Sequence, residues 1–172
     1  MARLYQLTFH GMTFTNSCDL VSLVTLVTST AANVTDVQVV RWWMGSSDNT
    51  LNTAQMLNGQ LVFLPATVTI GSGGSAATPA KTDQGDIAAK CTARVGDTTV
   101  ATTSGTAVTL DEQTFHLYNG YDSAVQGLGP FAISKSITAA GTTVCWRVNS
   151  TAVQGTPKAS GGLTFTEAGL GA

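Results

Sequence analysis

Charge is what this sequence has least of. Only 10% of its 172 residues are Asp, Glu, Lys or Arg, against about 25% in an ordinary soluble domain. Hydrophobic residues make up 43%, so Thr, Ser, Ala, Gly, Asn and Gln must complete the surface. Such a skin is weakly solvated and carries little charge to hold copies apart. It points to a protein that works inside an assembly with large buried contacts. The eight basic residues, Arg3, Arg41, Lys81, Lys90, Arg94, Lys135, Arg147 and Lys158, are scattered, and the net charge is −2. That excludes a broad nucleic-acid surface, which needs clustered Lys and Arg.

Other shortages narrow the field further. No run approaches about 18 consecutive apolar residues, so no membrane span is expected. The opening M-A-R-L-Y-Q-L-T-F-H alternates as a strand does, so no secretory leader is expected either. Cysteines number three and lie far apart, at Cys18, Cys91 and Cys145. They fit buried thiols of a protein made in a reducing cytoplasm better than a disulfide framework.

What the chain does have is strand signal. Its centre is Asp36–Gly45, D-V-Q-V-V-R-W-W-M-G. Alternation puts Val37, Val39, Arg41 and Trp43 on one face and Gln38, Val40, Trp42 and Met44 on the other. Neither face is polar along its length, so the stretch reads as covered on both sides. Of the two adjacent Trp rings, one fills the core and the other meets a second layer, a ligand or a neighbouring subunit. Strict alternation leaves open which is which, because register is not fixed without known turns.

Further strands are expected at Leu4–His10, Leu20–Thr28, Gln60–Leu64, Thr67–Ile70, Ala89–Val95, Thr98–Thr103, Thr106–Leu110, Thr114–Tyr121, Phe131–Ile137, Thr142–Asn149 and Leu163–Glu167. Thr142–Asn149 alternates most cleanly: Val144, Trp146 and Val148 face in, with Cys145, Arg147 and Asn149 facing the other way. Leu51–Met56 reads as irregular or a short helical turn. Gly71–Pro79 is a flexible loop by composition, and the tail Ala168–Ala172 is frayed or docked on a neighbour. Short strands with frequent turns and no long helix predict one domain over residues 1–172: an all-β, jelly-roll-like β-sandwich.

Catalytic signals are weak. There is no G-x-S-x-G, and His10 and His116 sit in strand-like segments, where packing or solvent exposure is the ordinary fate. Gly71–Ser75 lacks the Gly-Lys-Ser/Thr ending and the helix of a phosphate loop. The lone cysteines and histidines lack zinc spacing, and Asp83, Asp86 and Asp97 lack an EF-hand pattern. No enzyme activity, cofactor or metal is therefore expected.

With these motifs in hand, the chain resembles a family of small virion structural proteins of tailed bacteriophages. The resemblance rests on L-T-F-H-G-M-T-F-T-N at Leu7–Asn16, the aliphatic strand Leu20–Val27 and the Trp-bearing strand Val39–Gly45. It continues through T-P-A-K-T-D-Q-G-D at Thr78–Asp86, the strand Ala89–Thr99 and the closing strand Gly161–Glu167. The second Trp, Leu51–Met56 and the low charge have no counterpart in that pattern. The resemblance implies a virion location and a capsid decoration (cement) role. The partners implied are the major capsid protein and further copies of the chain, a trimer favoured. The alternative is a tail or head-fibre component acting as a glycan-binding adhesin. Under either, Trp42, Trp43, Tyr118 and Tyr121 are the candidate interface residues.

Overall fold

The computed structural model describes residues 3–14, 16–25, 35–47, 54–65, 67–124, 131–133 and 142–169. Among them there is no helix. In chain order the strands are β1 (Arg3–Thr13), β2 (Ser17–Thr25), β3 (Thr35–Ser46), β4 (Met56–Leu64), β5 (Val68–Thr69), β6 (Ser75–Ala77) and β7 (Ala80–Lys81). They continue as β8 (Thr92–Asp97), β9 (Thr102–Thr103), β10 (Val108–His116), β11 (Tyr121–Asp122), β12 (Phe131–Ile133), β13 (Thr142–Asn149) and β14 (Lys158–Gly169).

Two antiparallel sheets hold almost all of them. In the first sheet β1 pairs with β14, β14 with β3, and β3 with both β11 and β12. In the second, β2 pairs with β13, β13 with β4, and β4 with β10. The successive long strands β1 and β2, β3 and β4, and β13 and β14 thus lie in opposite sheets. This is the interlocked strand order of a jelly roll, and the expected all-β sandwich is what the chain adopts. A single core fills the space between the sheets, built on Tyr5, Leu7, Trp42, Leu61, Trp146 and Phe165.

Between β4 and β10 the chain makes one long excursion, residues 65–107. It adds β7 to the edge of the first sheet beside β1, and β8 and then β6 to the edge of the second beside β2. β5 and β9 form a small ribbon of their own. Part of the stretch expected as a flexible loop, Gly71–Pro79, is therefore strand β6. Its glycines serve close approach rather than looseness: a Cβ on Gly74 would lie 2.2 Å from the Val95 carbonyl oxygen.

Bulges decide which side chains face in. Opposite β14, Thr164 pairs with Arg41 and the next residue, Phe165, with Val39, so Val40 is an extra residue in β3. One extra residue reverses the faces of everything beyond it. Val37 and Val39 are buried before the bulge, Trp42 and Met44 after it, while Val40 is 37% exposed. This corrects the expectation that β3 is covered on both sides: its apolar residues line one face that changes parity midway. Leu20 in β2 and Leu110 in β10 are skipped in the same manner.

Other boundaries shift modestly. β4 begins at Met56, so that residue belongs to a strand rather than to an irregular turn, while 51–53 lie outside the described residues. β14 runs from Lys158, well before the expected Leu163. Thr114–Tyr121 is divided by a turn whose Asn119 and Gly120 amides both donate to the His116 carbonyl. Residues 26–28, 134–137 and 170–172 of the expected strands and tail lie outside the described residues.

Candidate binding face

The two sheets present very different outer faces. On the second sheet, alternation turns Asp19, Ser22, Thr143, Cys145 and Arg147 away from the core, yet the first four are 0% exposed. Residues 65–107 cover them, and Val62, Leu64, Ala101 and Cys145 close a small second apolar cluster there. Asp19 holds the cover down. Its carboxylate accepts the Arg147 Nε hydrogen at 2.5 Å and the Ala101 amide at 2.7 Å, while Arg147 Nη2 donates to the Ala101 carbonyl.

Asp97, opposite Asp19 in the β2–β8 register, repeats the arrangement. It accepts from Arg94 and from the Gly74 amide at 3.0 Å. A third buried carboxylate, Glu167, accepts the amides of Lys90 and Cys91 at 2.9 Å each. Burial pushes the thiols of Cys91 and Cys145 well above their ordinary range.

On the first sheet no such cover exists among the described residues. Trp43 lies on its outer face, half-buried, with its ring against Gly162. A Cβ on Gly162 would fall 2.8 Å from the indole, so only glycine lets the ring settle onto the sheet. The Arg41 guanidinium sits 4.7 Å from the ring centroid, and its Nε and Nη2 donate to the two Asp122 oxygens at 3.0 and 2.5 Å. The paired Arg41 holds Asp122 below the usual carboxylate range. Beside Trp43 opens a trough of about 510 Å³, lined by Trp43, Gly45, Asn119, Gly120, Asp122 and Ser160 among others. Ser160 Oγ accepts the Gly11 amide and lies 2.8 Å from His10 Nδ1. No acid backs the imidazole among the described residues, as a hydrolytic triad would require.

Of the four candidate interface residues, the structure brings Trp43 to the open face, and Tyr118 is 41% exposed on the turn after β10. The other two are corrected. Trp42 is 0% exposed and donates its indole hydrogen to Asp111 at 3.0 Å. Tyr121 is turned inward against Phe115 and Trp146, with its hydroxyl 2.7 Å from the same carboxylate. Both are core side chains, and burial raises the Tyr121 phenol pKa. Sequence reasoning missed Asp111, which the Leu110 bulge turns inward, and the glycines that make the trough. Comparison with known proteins adds nothing to the geometry: no family model, no curated protein and no solved structure matches the chain.

Proposed function

We propose that the chain is a non-enzymatic structural protein of a bacteriophage virion, a capsid decoration (cement) protein that bridges and stabilises major capsid subunits. One observation carries the reading furthest: all four arginines are already paired with aspartates, Arg3 with Asp86, Arg41 with Asp122, Arg94 with Asp97 and Arg147 with Asp19. A chain with so little charge, much of it engaged internally, offers a surface of hydroxyls, amides and methyl groups. Such a surface can be buried against a shell without stranding ions. The jelly-roll sandwich and the sequence resemblance agree with this role. Binding to assembled subunits and not to free ones would stabilise the shell by mass action.

The test is the copy number of this polypeptide relative to the major capsid protein in purified particles. A ratio near one, or a simple fraction of it, supports the reading; absence from the particle sinks it. Self-association as a trimer belongs to the same proposal. A clean monomer in light scattering at micromolar concentration would count against that part.

A further inference from the structure

The trough beside Trp43 is built unlike the rest of the outer face. Gly45 lies opposite Ser160 in the β3–β14 register, and Gly120 stands one residue before Tyr121, the partner of Met44. Two glycines side by side leave the backbone bare along one row, and a Cβ added at Gly45 would meet nothing within 4 Å. Gly120 has φ +69°, a conformation other residues adopt only with strain. The next row towards the centre of the sheet supplies the wall: the Trp43 indole, anchored on Gly162, and the Asp122 carboxylate, fixed by Arg41 and by the Ala124 amide at 3.0 Å. Asn119 stands at the rim and the Ser160 hydroxyl at the far end.

We propose that this trough binds a neutral saccharide. A pyranose carries an apolar C–H face and a ring of hydroxyls. The trough matches both, with an aromatic surface next to fixed polar groups over a bare floor. Asp122 Oδ2 receives one hydrogen from Arg41 and keeps a lone pair for a hydroxyl donor. The Asn119 amide both donates and accepts. No Lys or Arg is among the lining residues, and the nearest guanidinium is already neutralised. An anionic sugar would therefore find no unpaired cation among the lining residues to meet its charge. The volume falls within the ~300–1,000 Å³ of small-ligand sites, and the openness of the depression sets the expected affinity in the millimolar range. The inference does not rest on the virion role, because it concerns the isolated protein.

The site contains its own reporter. The chain has three tryptophans, and Trp42 and Trp146 are fully buried, so a ligand in the trough acts on Trp43 emission. The full-length protein is titrated with a panel of neutral and acidic mono- and oligosaccharides while fluorescence is followed. Expected is a saturable change with at least one neutral sugar and a response at least tenfold weaker from acidic ones. Gly45→Val, which fills the floor, should weaken binding at least tenfold with an unchanged melting temperature. If that variant melts early, Asn119→Ala at the exposed rim gives the same reading. The proposal is overturned if no neutral sugar gives a saturable response, if acidic sugars bind as well as neutral ones, or if binding survives in the folded variants.

Discussion

The outer faces of the two sheets started from the same problem and solved it differently. Each sheet packs one side into the sandwich and must do something with the other. The second sheet covers its outer side with residues 65–107, and the chain places buried charge there. Asp19 and Asp97 on that sheet, and Glu167 on β14 of the first, each receive backbone amides from that excursion. Among the described residues the first sheet keeps its outer side open, with Thr8 exposed, Val40 37% exposed and Trp43 half-buried. The difference shows what scarce charge does in this molecule. An excursion with few large apolar side chains cannot hold itself down by packing, so ionised acceptors bind its amides, with arginines neutralising two of the three.

Substitutions on matched positions of the two faces sharpen this contrast. Asp19→Ala leaves Arg147 largely buried without its partner and should lower unfolding free energy by about 3–5 kcal/mol in a denaturant titration. A loss below about 1 kcal/mol would mean that the excursion is not clipped as described. Between the neighbouring indoles, Trp42→Ala opens the core and removes one of the donors to Asp111, leaving Tyr121, at a cost of about 3–5 kcal/mol. Trp43→Ala removes a half-buried ring and should cost roughly 1 kcal/mol. Equal losses would contradict the inward and outward assignment.

The thiols give a graded test of the cover. Cys18, Cys91 and Cys145 are all buried, so a thiol reagent should label none in the native protein and all three on unfolding. In Asp19→Ala, Cys145 should react before the other two, because it lies under the excursion that Asp19 retains. The smallest effect belongs to the open face. Asp122→Asn should cost about 0–1 kcal/mol, since both partners of the Arg41 pair are partly exposed. The sign with pH is set by the lowered carboxylate. Its contribution is fully present above the unfolded value of about 3.9 and disappears as pH falls through the folded value. The melting-temperature difference between wild type and variant should therefore be flat from about pH 5 to 8 and shrink below about pH 4.

Much of the architecture is legible in the sequence because alternation is a local signal. β1, β13 and the centre of β3 lie where their periodicity puts them, and the inward set Val144, Trp146 and Val148 is buried as its spacing predicts. What alternation cannot carry is a one-residue slip. The bulge at Val40 makes β3 look apolar on both sides when one side is open. The strands with two covered sides are instead β2 and β13, and in β13 Cys145 and Arg147 look like an ordinary outward set. A signal was available: Asp19 and Arg147 are charged residues placed within apolar strands of a chain that has almost no charge, the pattern of a buried pair. The trough was illegible for a different reason. Gly45, Gly120 and Gly162 are far apart in sequence, and only the register of β3, β11 and β14 brings them together.

The contrast between a sealed and an open face comes down to one indole. Acrylamide quenching of the native wild-type protein should resolve one accessible tryptophan and two protected ones, and the accessible component should vanish in Trp43→Phe. Persistence of that component in the variant, or equal quenching of all three rings, would contradict the placement of Trp43 on the open face and of Trp42 beneath it.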